Sequence, residues 1–411
     1  MPPQWARDKK ILLGVSGGIA AYKTPELVRA WLKQGCEVEV VLTDMGASLV
    51  SPLALATLIK RRVWRDKDLK SDDMGWTIPH ISLSAWADAL VVAPCTANVL
   101  RMAAAGDSST LLGAVMLACE APQIFFPAMN SRMWAHPATK TNAAALMSRG
   151  HRVVDPDSGP LACGYEGKGR LPSAEAILDE TWYSLRADKD YAGRKVLVTA
   201  GPTREYVDPV RYMSNPSSGK TGYAIASEAR YRGADVTLVS GPAHLRVPSG
   251  VTFIAAESAR DMHDACMSAL PDSDVIIKTA AVSDYRVKQF SPQKIKRGAA
   301  SGASLTLELE QNPDIAFEIG HRKRPSQILV GFAAETQNVR ENAISKIERK
   351  NLDLVAANDV ATPGSGFASD FNSVEVFFAQ QYGMTPRTFS GGKWEVASGI
   401  LDSIAAILPG R

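Results

Sequence analysis

The chain has 411 residues, too many for one ordinary core and suited to two domains of roughly 200 residues each. Its 46 Lys and Arg nearly cancel its 43 Asp and Glu and no long basic run occurs, which argues against nucleic acid as a partner and leaves small phosphorylated ligands open. Five scattered cysteines without a C-x-x-C pair argue against a disulfide framework or a zinc site and suit a reducing cytoplasm, and no apolar run reaches the ~20 residues of a membrane span.

The start, MPPQWARDKKILLGVSGG, passes straight into a short strand and a glycine turn, without the apolar core and cleavage site of a signal peptide. From Lys10 the order is a strand (KILLGV), the turn, an amphipathic helix over Ile19 to Gln34, a strand (EVEVVLT) and further alternation through ALVVAP and QIFFPA. The turn puts Ser16, Gly17 and Gly18 where backbone N–H groups and a helix dipole can hold one phosphate, although its spacing is not GxGxxG. After RVVD, the segment PDSGPLACGYEGKGRLPS is rich in glycine and proline, has no period, and predicts a long mobile flap. A helix over about Ser173 to Leu185 follows, and the charged joint RADKDYAGR divides the chain into domains 1–188 and 189–411.

The second half restarts with the strand KVLVTA and continues through ADVTLVS, VTFIAA, DVIIKTAA, QILVGFAAE, DLVAAND and SVEVFF to a C-terminal helix. Both halves therefore predict doubly wound, Rossmann-like, three-layer α/β domains. KVLVTA runs into a polar loop in which Ser217, Ser218, Gly219 and Gly222 leave backbone N–H groups at the next helix start, a phosphate site by construction. SNPSSGKT nearly matches a Walker A loop, but Ser214 stands where the first glycine belongs, so the ordinary P-loop reading fails.

Three segments of the first half act jointly: Pro79-His80-Ile81 leading into LSAWADALVVAPCTAN, then PAMNSRMW, then the flap with Cys163. Together they resemble the flavin-dependent cysteine decarboxylases, most closely the phosphopantothenoylcysteine decarboxylases. The resemblance implies a flavoprotein-type fold with FMN held by Ser16, Gly17, Gly18, Thr43, Thr96 and Asn98. A cysteinyl carboxylate lacks an electron sink for decarboxylation, and oxidation of the thiol carbon by flavin supplies one. The resemblance makes His80 the base that assists this oxidation, Asn130 a donor to the substrate carboxylate or amide, and Cys163 the proton donor to the enethiolate. Taken alone, a His after proline is more often a capped or solvated loop residue, and Asn130 is equally a helix cap. Cys95 and Ser109-Thr110 depart from the family pattern, which has Ala at the first position and commonly acidic or amide residues at the others.

From Lys195 to the C-terminus the chain resembles the phosphopantothenate–cysteine ligases of the bacterial, CTP-using type. Amide formation needs an activated acyl group, and a nucleoside triphosphate supplies it as an acyl-nucleotide. Asp284, after the strand DVIIKTA, is the Mg²⁺ ligand in this reading, and Lys294 the residue that stabilises charge on the α-phosphate. Lys346 and Lys350 lie four apart on one helix face, placed to grip the phosphates. The resemblance adds Phe332 as a wall for the base, and Ala280 with Pro313, Asp314, Ile315 and Ala316 as its backbone readers. Arg211 and Asn215 would hold the acyl-cytidylate, although an ion pair and a helix cap are their plainer roles.

The combined expectation is a bifunctional enzyme of coenzyme A biosynthesis, using FMN, Mg²⁺ and CTP on 4′-phosphopantothenate and L-cysteine. The same resemblance implies a homo-oligomer, trimeric through its first half and dimeric through its second, and the cysteine usage suits a cytoplasmic location. A flavin prenyltransferase-like first half is the rival enzyme, opposed by His80, PAMN and Cys163. A regulatory binding protein with lost catalysis is the rival from another class, opposed by the full set of catalytic positions and the lack of an acidic tail.

Overall fold

The computed structural model describes residues 3–70, 78–162, 164–296, 305–335, 338–359 and 371–409. The chain divides into two compact units, 2–187 and 188–411.

The first unit is built on a six-stranded sheet of β1 (Lys10–Val15), β2 (Glu37–Leu42), β3 (Trp64–Arg65), β4 (Ala89–Cys95), β5 (Gln123–Pro127) and β6 (Arg152–Val153), in the order β3-β2-β1-β4-β5-β6. All pairings are parallel, which buries both faces, and β4 accordingly has every residue buried. The strand order reverses between β1 and β4, the point at whose carboxyl edge such sheets bind ligands. The expected helix from Ile19 is two pieces, a 3₁₀ helix Ile19–Lys23 and an α-helix Thr24–Lys33. Pro25 sets the break: it has no N–H to donate back along an α-helix and is tolerated only in the first turn. The glycine- and proline-rich segment expected as an irregular flap is an antiparallel hairpin, β7 (Asp157–Pro160) with β8 (Glu166–Arg170).

The second unit carries an eight-stranded sheet, interrupted in sequence by two small hairpins. Its strands are β9 (Lys195–Ala200), β12 (Asp235–Ser240), β13 (Thr252–Ala255), β14 (Val275–Lys278), β17 (Ile328–Glu335), β18 (Leu354–Asp359), β19 (Phe371–Phe378) and β20 (Arg387–Gly392). The hairpins are β10 (Arg204–Tyr206) with β11 (Tyr212–Ser214), and β15 (Tyr285–Val287) with β16 (Leu309–Gln311). The order β13-β12-β9-β14-β17-β18 repeats the doubly wound pattern of the first unit, and β19 and β20 extend it antiparallel. The helix Lys220–Tyr231 is buried from Gly222 to Tyr231, covered on one side by the sheet and on the other by the C-terminal helix Lys393–Ala405. Such a sandwiched helix holds its N-terminus rigidly at the switch between β9 and β14.

Candidate active sites

In the first unit, loops from three strands meet at the carboxyl edge. The Ser16 N–H and hydroxyl both donate to the Pro94 carbonyl, at 3.2 and 2.7 Å, and the hydroxyl oxygen accepts from the Thr96 N–H at 2.9 Å. Ser16 thus ties the β1 turn to the β4 loop and has no donor left for a phosphate. The donors that remain are the Gly17 N–H and the first N–H groups of the helix Ile19–Lys23. Gly17 admits no side chain, since a Cβ there would come within 2.3 Å of Met45 Cβ. Thr43 and Thr96 spend their hydroxyls as N-caps, accepting from Gly46 at 3.1 Å and Val99 at 3.4 Å. Asn98 is exposed and turned along its own helix, its Nδ2 3.6 Å from Met102 Sδ.

Asn130 caps the short helix Ser131–Ala135, its Oδ1 accepting from the Arg132 N–H at 2.9 Å. The preceding Met129 N–H donates to the Gly169 carbonyl, so β8 lies against the PAMN segment. Gly169 makes that approach possible, because a Cβ there would sit 2.1 Å from the Met129 oxygen. Cys163, between β7 and β8 in sequence, lies outside the described residues. His80 stands in the first turn of the helix Pro79–Trp86, and its buried Nδ1 has no hydrogen-bond partner among the described residues. A buried ring nitrogen left without a protein partner suits proton exchange with a ligand. The departures at Cys95 and Thr110 are structural: Cys95 is fully buried in the core, where burial pushes its thiol pKa far up, and Thr110 caps the helix Leu111–Ala118.

In the second unit a cavity of about 400 Å³ opens at the switch between β9 and β14. The loop Asn215–Gly222 forms one wall, and Phe332, Lys346, Asn358, Asn372 and Lys393 stand on others. Gly219 takes φ +76° to start the helix Lys220–Tyr231, and its N–H reaches Ser217 Oγ at 3.3 Å. The helix start presses on the sheet so closely that a Cβ at Gly222 would meet Thr279 Oγ1 at 2.5 Å and Ala200 Cβ at 2.6 Å. Asn215 clips the loop across the switch, its Nδ2 donating to the carbonyls of Ala281 (3.2 Å) and Val282 (3.3 Å). Ala280 is held by its N–H to Thr199 Oγ1 at 3.3 Å, so of its backbone groups the carbonyl is the one open to a ligand. Lys346 lines the cavity and donates to the Phe332 carbonyl at 2.6 Å.

A second cavity of about 340 Å³ lies alongside, between Val282–Tyr285 and Gln311–Ala316, and the two share Val282 and Asp284. Asp284 is exposed at this junction, and among the described residues no cluster of three His, Cys, Asp or Glu is placed to hold a metal alone. Asp314 caps the helix Ile315–Arg322 through the Phe317 N–H and accepts Lys350 Nζ at 2.7 Å. Burial raises the Asp314 pKa, but the hydrogen bonds from Lys350 and Phe317 and the nearby Lys350 and Arg349 charges outweigh it and hold the carboxyl below the usual range. The two lysines expected to act together are thus separated: Lys346 faces the larger cavity and Lys350 neutralises Asp314.

Arg211 and Lys294 are brought near each other but line neither cavity. Arg211 donates from Nε (3.0 Å) and Nη2 (2.6 Å) to the fully buried Asp208 carboxylate, and also from Nη2 to the Ile295 carbonyl. The Ile295 N–H closes the ring on Asp208 at 3.1 Å, fixing the exposed Lys294 beside Arg211. Burial alone would raise the Asp208 pKa; hydrogen bonds from Val210, Arg211 and Ile295 reverse this and hold it well below the carboxylate range.

Asn358, Asn372 and Lys393 are cavity residues that sequence reasoning missed. Asn358 and Asn372 sit on neighbouring strands β18 and β19, and each has a buried Oδ1 without a hydrogen-bond partner among the described residues. The larger cavity therefore offers N–H donors and cations at the glycine loop and two unused acceptors elsewhere. The one signal available was Asn358 closing the apolar run DLVAAND; Asn372 and Lys393 carried none.

Comparisons with known proteins agree on both halves. Residues 2–185 match the family model described as Flavoprotein, and residues 191–408 match the DNA/pantothenate metabolism flavoprotein C-terminal domain. The chain is 42% identical to the Coenzyme A biosynthesis bifunctional protein CoaBC of Bacillus subtilis (strain 168) over 97% of each chain. It is 43% identical to the protein of that name from Escherichia coli (strain K12), over 90% of this chain and 91% of the relative. The crystal structure of the C-terminal domain of a CoaBC protein aligns at 40% identity with a TM-score of 0.44, covering 54% of this chain and 98% of that one. The chain belongs to the family of bifunctional coenzyme A biosynthesis proteins, a flavoprotein domain followed by a pantothenate-metabolism C-terminal domain.

Proposed function

We propose that the second unit activates 4′-phosphopantothenate with CTP and couples the acyl-cytidylate to L-cysteine, and that the first unit decarboxylates the product to 4′-phosphopantetheine. The observation that carries this reading is the pair of cavities joined at Asp284. A ligand with a phosphate at one end and hydroxyl and amide N–H groups along its length matches the larger one, which sets the Thr221 and Gly222 N–H groups at the helix start against the acceptors of Asn358 and Asn372, the Ser217 and Gly219 N–H groups being spent within the loop on the Asn215 carbonyl and Ser217 Oγ. The nucleoside takes the smaller cavity, where Pro313–Ala316 offer backbone edges to the base and Phe332 borders from the neighbouring space. Asp284 at the junction supplies the single carboxylate with which Mg²⁺ commonly joins a triphosphate. Asn215 positions Ala281 and Val282, and Lys294, carried on the loop anchored by Asp208, answers charge growing on the α-phosphate.

In the first unit the donors at Gly17 and the helix Ile19–Lys23 fit the phosphate of FMN, and the unpartnered His80 nitrogen fits a proton transfer beside it. When bound, FMN supplies the two-electron oxidation of the thiol carbon that decarboxylation needs, and its reversal. His80 accepts the thiol proton, Asn130 orients the carboxylate, and Cys163 returns a proton to the product. Exposed Ile19, Tyr22 and Met45 beside the turn suit a subunit contact in a trimer, with the second unit forming dimers. Buried, unbridged Cys36, Cys95, Cys119 and Cys266 suit a cytoplasmic enzyme. The test of the ligase reading is pyrophosphate release that requires both CTP and 4′-phosphopantothenate. Asp284→Asn and Lys294→Gln should abolish it, and undiminished release by either variant would remove that residue from the site.

A further inference from the structure

A third cavity, of about 210 Å³, lies in the first unit between the helices Thr24–Lys33 and Ala174–Leu185, beside Ala93 of β4. None of the residues assigned to FMN or its chemistry lines it. Its size exceeds the ~30 Å³ of a water several-fold and falls below the ~300 Å³ at which cofactor pockets begin, which sets the scale of its occupant.

Thr24 lines this space at 2% exposure, and its buried hydroxyl has no hydrogen-bond partner among the described residues. A buried hydroxyl left without a partner is destabilising unless something meets it. Opposite stands the start of the 12-residue helix Ala174–Leu185, where Ser173 Oγ accepts the Ala176 N–H at 3.2 Å. The N–H groups of Ala174 and Glu175 precede any intrahelical acceptor and border the cavity. Lys23 and Arg170 add two cations to the lining, and Glu26 and Glu175 two carboxylates. Leu27 and Ile177 give it an apolar wall.

We propose that this cavity binds a small zwitterion, an α-amino acid with an aliphatic side chain. Its carboxylate meets the helix start, the Thr24 hydroxyl and the cations Lys23 and Arg170. Its ammonium meets Glu26 and Glu175, and its side chain packs on Leu27 and Ile177. A phosphate dianion would satisfy the donors equally but would face two carboxylates, and a simple cation would oppose the helix dipole; a zwitterion meets both signs.

The test is titration calorimetry of the full-length, FMN-loaded protein with L-valine, isobutyrate and isobutylamine. Valine should bind once per chain, with each fragment weaker by about tenfold or more, and Thr24→Val and Arg170→Gln should each weaken valine about tenfold. Arg170 is exposed, so its variant keeps the test intact should Thr24→Val fail to fold. No valine binding in the millimolar range, isobutyrate binding as well as valine, or valine binding untouched by both substitutions would each overturn the proposal.

Discussion

Replacing Gly222 by alanine tests how the phosphate loop is held. The new Cβ would stand 2.5 Å from Thr279 Oγ1, 2.6 Å from Ala200 Cβ and 3.2 Å from Ala200 Cα. None of these can step aside: Ala200 ends the central strand β9, and the Thr279 hydroxyl is bonded to the Thr199 carbonyl at 2.6 Å. Restoring an ordinary contact of about 3.5 Å moves the helix start outward by roughly 1 Å. Overpacking of this kind costs about 1–3 kcal/mol, and the helix preference of alanine over glycine returns about 1 kcal/mol. The net loss of up to about 2 kcal/mol lowers the melting midpoint of a unit this size by up to roughly 8 °C. The catalytic loss should be larger, on the order of a hundredfold, because in the proposed function the displaced N–H groups are the ones that meet the substrate phosphate. Calorimetric melting and ligase kcat/KM on one preparation give both numbers. A variant that matches the native protein in both would show that the helix start is not seated on the sheet as described.

Three further outcomes follow from the same geometry. Asp208 has its folded pKa depressed, so the stability it contributes is complete above its unfolded value of about 4 and drains away as pH falls below it. Melting curves should therefore fall more steeply below pH ~4 for the native chain than for Asp208→Asn, and coincident slopes would contradict the Arg211–Asp208–Ile295 ring. Lys346→Gln should cost ligation about a hundredfold while Lys350→Gln, which removes only the partner of Asp314, costs about tenfold or less; steady-state kinetics on CTP reverses the assignment if the order reverses. Cys163→Ser should stop the first unit after CO₂ loss and leave ligation intact, as read by trapped CO₂ and product mass, and full turnover to 4′-phosphopantetheine would refute the proton-donor role.

The central strands were legible because parallel strands buried on both faces read as unbroken apolar runs: KILLGV, ALVVAPC and KVLVTA are each strands. The glycine turns ahead of the helices Ile19–Lys23 and Lys220–Tyr231 were legible because glycine before a helix start has few other uses. The hairpin β7–β8 was not, since its exposed, glycine-rich strands carry no alternation and are placed by contacts with distant residues, among them Met129 and Ser131. What sequence could least show was which polar partner each side chain chooses. Asn215 reaches carbonyls 66 and 67 residues away, and Lys350 finds Asp314 36 residues away rather than joining Lys346 one turn back. Helix periodicity puts Lys346 and Lys350 on one face, but Lys350 goes to Asp314, the N-cap of the helix Ile315–Arg322, and Lys346 to the Phe332 carbonyl.

The most direct test of the whole reading is mass spectrometry of the products formed from 4′-phosphopantothenate, L-cysteine and Mg²⁺ by the FMN-loaded protein, with CTP and ATP in parallel. The account predicts 4′-phosphopantetheine, formed with CTP in preference to ATP. No acyl adduct and no 4′-phosphopantetheine with either nucleotide would contradict it.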